Sequence, residues 1–128
     1  MIEFDSETLR PNRGSPIHTK LENGWFVVTW RKDPDNTNPS FRFPFTFLCR
    51  ILNEFFKDNE WHALSADHSK FPLEEFGKFV VDNGRQYFPP SPQYGSAIAG
   101  IMYTLELIEF EERPGRGRPI FLRKRIGI

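Results

Sequence analysis

Four groups of residues in this chain have types suited to chemistry. The first is a cationic tail: Arg113, Arg116, Arg118, Arg123, Lys124 and Arg125 are six basic residues, with no acidic one, between Arg113 and Ile128. Guanidinium and ammonium groups at that density neutralise phosphates or carboxylates. The second is His62 and His68, with Asp67 beside the latter. Imidazoles and carboxylates ligate metals, but this spacing matches no helical ligand pair, so surface or partly buried histidines flanking a turn are expected. The third is "DPDNTN", in which Asp33, Asp35 and Thr37 stand as at the start of a calcium loop. The glycine at the sixth position and the terminal glutamate are missing, which leaves a polar turn. The fourth is Cys49, whose apolar neighbours predict core packing rather than a nucleophile. Asn83-Gly84 and Tyr94-Gly95 are isolated glycine pairs and make no phosphate loop. No catalytic residue, metal or cofactor is expected.

Composition bounds what can position these groups. The 128 residues fit one domain, and 14 phenylalanines supply a core dense in rings. Basic and acidic residues balance at 17 each, so a charged partner must be met by a local surface. Glu106, Glu109, Glu111 and Glu112 form an acidic block just before the cationic tail. A single cysteine excludes an internal disulfide and a cysteine-based zinc site. There is neither a secretory leader nor an apolar run of the roughly 18 residues a membrane span needs, so a cytoplasmic protein without membrane contact is expected.

Along the chain, residues 1–23 give little periodic signal and predict an N-terminal arm. Residues 24–45 predict a β-hairpin extension, with a strand over Trp25–Arg31 and a second carrying Phe41, Phe43 and Phe45. From Thr46 the period lengthens: Leu48, Leu52, Phe55 and Phe56 predict an amphipathic helix to Asn59. Trp61 to Leu64 suits a short strand. Pro72 opens a second helix with Leu73, Phe76, Phe79 and Val80 on its face, Glu74 and Glu75 at its positive end and Gly84 at its stop. Ser91 and Pro92 open a third, with Ala97, Ile98, Ile101, Met102 and Leu105 as its stripe. "LIEFEER" and "RPIFLRKRI" then alternate around "PGRG", which predicts a hairpin.

Within that hairpin Arg116-Gly117-Arg118-Pro119 reads R-G-R-P, the core of the minor-groove AT-hook. Alternating strands on both sides make it a hairpin tip rather than a free hook. The junction "IMYTLELIEFEERPGRGRPIFLRKRI" resembles the winged helix-turn-helix superfamily, over residues 46–128. The resemblance implies an α+β winged-helix domain: three helices plus a C-terminal β-hairpin wing, here with an N-terminal β-hairpin extension. It further implies a transcription-regulatory DNA-binding protein. Arg113, Arg116 and Arg118 of the wing, supported by Arg123, Lys124 and Arg125, would meet phosphates and the minor groove of double-stranded DNA. Gln93, Tyr94 and Ser96 of the recognition helix would face the major groove. Yet no Lys or Arg lies between Arg85 and Arg113, so that helix brings no phosphate contact of its own.

The competing reading is a protein-interaction module whose wing docks an acidic partner without binding DNA. The same residues serve it, because a Gly/Pro tip and a charged outer face also suit plain chain reversal. The aromatic N-terminal extension offers a homodimer surface. A small enzyme built on the histidines is a third class, against which the absence of any catalytic constellation counts.

Overall fold

The computed structural model describes residues 2–10, 14–30, 41–64, 75–114 and 119–127. Its N-terminal part is a four-stranded antiparallel meander in the order β1-β2-β3-β4: β1 Ile2–Glu7, β2 Pro16–Glu22, β3 Trp25–Trp30 and β4 Phe41–Pro44. Asn23 and Gly24 link β2 to β3 with φ of 51° and 81°. Positive φ at both central residues matches the twist of the flanking strands, and Asn-Gly tolerates it best. The turn sets the register Glu22↔Trp25 through Ile17↔Trp30, which brings Ile17, Thr19, Phe26 and Val28 to one buried face.

Pro44 ends β4 and precedes α1, Phe45–Arg50, which continues as a π-helical turn over Ile51–Phe55. The Phe56 amide donates to the Ile51 carbonyl at 3.1 Å, and Ile51 and Phe56 are both fully buried. The helical period over this stretch is thus met, but it ends in the wider turn near Phe55 rather than running to Asn59. Then follow β5 His62–Ala63, α2 Glu75–Gly84, α3 Pro92–Thr104, β6 Ile108–Glu112 and β7 Ile120–Lys124. Ser91 is extended at the start of α3 as expected, although its side chain makes no capping bond. The last three strands form one antiparallel sheet in the order β5-β7-β6.

One core joins the two sheets. Phe26 stacks on Phe43 at 5.1 Å, Phe41 meets Tyr94 of α3 at 4.6 Å, and Phe88 meets Tyr94 at 4.9 Å. Beside them Phe56 packs on Phe76 of α2 at 5.8 Å. The end of β1 and the residues after it cross α3 directly: the Leu9 amide donates to the Ser96 carbonyl at 3.1 Å. A β-carbon at Gly100 would stand 1.9 Å from the Glu7 carbonyl oxygen, so only glycine allows this crossing.

These findings correct the expected winged helix-turn-helix architecture. Among the described residues the fold is α+β with three helices and two antiparallel sheets of four and three strands, and most strands precede the helices. Residues 2–7 and 16–22 of the expected arm are full strands, so the N-terminal element is a four-stranded sheet rather than a hairpin extension. The physical reason is that α3 is apolar around its whole circumference, and a helix of that kind needs cover on every side. From Tyr94 to Met102 every residue is buried. No helix among the described residues is long and apolar enough to cross a membrane.

Candidate interaction surface on the C-terminal hairpin

Strands β6 and β7 pair in the register Ile108↔Lys124, Glu109↔Arg123, Phe110↔Leu122, Glu111↔Phe121 and Glu112↔Ile120. Alternation sends Ile108, Ile120 and Leu122 into the core and sends Glu109, Glu111, Phe121 and Arg123 to the opposite face. On that outer face the charges satisfy one another. Arg123 donates from Nε to Glu109 Oε1 at 2.7 Å, with a second bond from its Nη2 to the same oxygen, and its guanidinium lies 4.3 Å over the Trp61 ring. Arg113 donates from Nε to Glu111 Oε1 at 2.6 Å and lies 3.7 Å over Phe121. Two cation–carboxylate pairs, each backed by a ring, form one ordered ladder.

Lys124 is half-buried, Arg125 is exposed, and among the described residues neither forms an ion pair. Arg116 and Arg118, the centre of the R-G-R-P tetrapeptide, lie outside the described residues. So do His68, Asp67, Asp33, Asp35, Thr37, Pro72, Leu73 and Glu74.

The residues expected to read a major groove are not on a surface together. Gln93 is half-buried, Tyr94 is 9% exposed between Phe41 and Phe88, and Ser96 is 0% exposed under β1. Tyr94 and Ser96 are therefore core residues, Tyr94 packed between the rings of Phe41 and Phe88 and Ser96 beneath the segment that follows β1. The small residues Gly95 and Gly100 mark close approaches, to Gly77 of α2 and to Glu7 of β1 respectively. Of the aromatic N-terminal extension expected to offer a homodimer surface, Phe41 and Phe43 are buried, Phe41 against Tyr94 of α3 and Phe43 against Phe47 of α1.

His62, 20% exposed at its side chain, is held between two carboxylates: Nε2 lies 2.8 Å from Asp58 Oδ1 and Nδ1 3.4 Å from Glu75 Oε2. The Phe55 ring stands 4.9 Å away. The carboxylates meet opposite ring nitrogens, so they cannot converge on one ion with that imidazole. The hydrogen bond with His62, helped by the Glu60 amide, holds the Asp58 carboxyl below its ordinary range. Sequence reasoning missed a similar arrangement in the N-terminal sheet, where His18 Nδ1 lies 2.7 Å from Asp5 and Nε2 3.4 Å from Glu3. The signal was the alternation of Glu3 and Asp5 on a strand opposite His18. Among the described residues no three His, Cys, Asp or Glu side chains form a cluster able to hold a metal. Cys49 is free and half-buried on α1.

Apart from this ladder, the hairpin carries an exposed aromatic pair. Tyr103 at the end of α3 is 46% exposed and Phe110 of β6 is 37% exposed, their rings meeting edge to face at 4.8 Å. No family model, curated protein or solved structure matches this chain.

Proposed function

We propose that this protein is a protein-binding domain that docks through its C-terminal β-hairpin. The observation that carries this reading is the burial of α3 from Tyr94 to Met102, together with the internal pairing of Arg113 and Arg123 with Glu111 and Glu109. DNA affinity comes largely from cations free to displace counterions at phosphates. Two of the six cations of the hairpin region are already committed to carboxylates, and the one helix shaped like a reader is inside the core. What the hairpin offers instead is a rigid, half-apolar surface with charges of both signs, the composition of a protein interface rim around aromatic anchors. A cytoplasmic setting suits a chain whose one cysteine is free.

The test is a selection of binders from a displayed library of extended peptides, followed by hydrogen-exchange footprinting of the complex. Footprints over residues 107–125 are expected. If every enriched peptide protects amides elsewhere, the hairpin is not the docking element and the reading fails.

A second reading, double-stranded DNA bound by the hairpin tip, is favoured by Arg116 and Arg118 in sequence and by Lys124 and Arg125, which form no ion pair among the described residues. Under the first reading, anisotropy titration with a duplex shows no binding that weakens with salt. Salt-dependent binding abolished by Arg116→Ala/Arg118→Ala would establish the second reading instead.

A further inference from the structure

β6 is the outer strand of its sheet, since β7 lies between it and β5. The Arg113 amide donates to the Pro119 carbonyl at 2.9 Å, and the Arg125 amide donates to the Leu107 carbonyl at 3.1 Å. These two bonds fix the phase of the ladder. Leu107, Glu109, Glu111 and Arg113 turn their backbone groups toward β7, so Ile108 and Phe110 turn theirs outward. Among the described residues no backbone bond reaches the outward groups of Phe110. An uncovered donor and acceptor on an edge strand are a template for another strand.

Edges of this kind are usually guarded by charge or by a short, twisted strand. Here the guard is incomplete, because Tyr103 and Phe110 leave an exposed aromatic step on the helix side of the edge. On the other side both arginine pairs use Oε1 of their glutamates, and the Oε2 atoms of Glu109 and Glu111 make no bond among the described residues. The edge therefore presents an apolar seat on one face and carboxylate oxygens on the other.

The geometry points to strand addition at β6: an extended segment of a partner protein, alternating apolar and basic side chains, pairs with the outward backbone of Phe110. Its apolar side chain sits on the Tyr103–Phe110 step, and the flanking basic side chains reach Glu109 and Glu111. A second copy of β6 fits poorly, since antiparallel pairing about Phe110 sets Glu109 opposite the other copy's Glu111. The inference rests on the protein-binding reading and names the chemistry of the partner for that same hairpin.

The probe is a synthetic decapeptide of alternating valine and lysine, titrated into the ¹⁵N-labelled full chain with amide exchange followed by NMR. Binding that slows exchange at the Phe110 amide is expected. Methylating the alternate amide nitrogens of the peptide that face the edge, or replacing lysine by glutamate, should weaken binding by about tenfold or more. Tyr103→Lys, at an exposed position where the fold has little to lose, should weaken it similarly. Equal affinity of the methylated peptide, or no protection at Phe110, overturns the proposal. Protection confined to Arg113 and Arg125 sinks strand addition while leaving the hairpin as the docking element. No effect on the hairpin by this or any selected peptide removes both readings. A concentration-dependent dimer that protects Phe110 without peptide overturns the choice of occupant.

Discussion

Ser96 illustrates how one hydroxyl changes meaning with its surroundings. Its side-chain oxygen is fully buried and has no hydrogen-bond partner among the described residues, and Thr19 shares that condition. A buried, unpartnered hydroxyl has given up water for nothing, at a cost of about 1–3 kcal/mol. Ser96→Ala is therefore expected to leave the protein as stable or more stable by about 1 kcal/mol in urea unfolding. A fall of that size would mean that the hydroxyl has a partner. Gly100→Ala acts in the opposite direction, because its new methyl would meet the Glu7 carbonyl oxygen at 1.9 Å. Forcing β1 off α3 should cost about 1–3 kcal/mol or more in the same measurement. Asp58 gives a pH signature. Its hydrogen bond with His62 holds the folded carboxyl below the ordinary carboxylate range, so its contribution is present above the unfolded pKa and lost as pH falls through the lower folded value. Asp58→Asn should lower stability slightly at neutral pH, leave it unchanged at the acid end, and so flatten this part of the acid limb.

At the scale of elements, the hairpin and the meander obey the same alternation but put it to different uses. In β6 and β7 the outer residues are Glu109, Glu111, Phe121 and Arg123, directly paired across the strands or stacked on rings. In β3 and β4 the inner residues Phe26, Val28, Phe41 and Phe43 are buried, with Phe43 and Phe26 meeting α1 and Phe41 meeting α3. Phe43→Ala, at a fully buried ring touching Phe26, Phe41 and Phe47, should cost about 3–5 kcal/mol. Phe45→Ala, one strand-end later and 47% exposed, should cost far less. Thermal unfolding of the two variants checks the contrast. If they are equally destabilised, the boundary between β4 and α1 is misplaced by one residue.

Across the whole molecule, α3 is the shared element. Its small residues let α2 and β1 approach, and its larger ones meet rings from β4 and from Phe88. Residues 46–128 are thus not a unit that could keep α3 covered alone. Removing residues 1–23 strips β1 and β2 from the core, and the shortened chain should lose its single cooperative transition and bind a hydrophobic dye. A shortened chain that still unfolds in one sharp step would show that the meander is an accessory. Much of the local structure is legible in residues alone. Phe41 and Phe43 announce β4, Asn23-Gly24 its neighbouring turn, Ser91-Pro92 the start of α3, and alternation around "PGRG" the hairpin. These signals are local because φ/ψ preference, capping and face periodicity act within a few residues. β1 was illegible because its alternation is short and mostly polar, and it becomes a strand only by pairing with β2. Charge was legible as composition, but which cations are free was not. The chain by itself determined β3, β4, the start of α3 and the strands of the C-terminal hairpin, but not β1 and β2. Only tertiary packing decided that the third helix is core rather than surface and that Arg113 and Arg123 are already spent, because burial and ion pairing depend on what long-range contacts bring alongside.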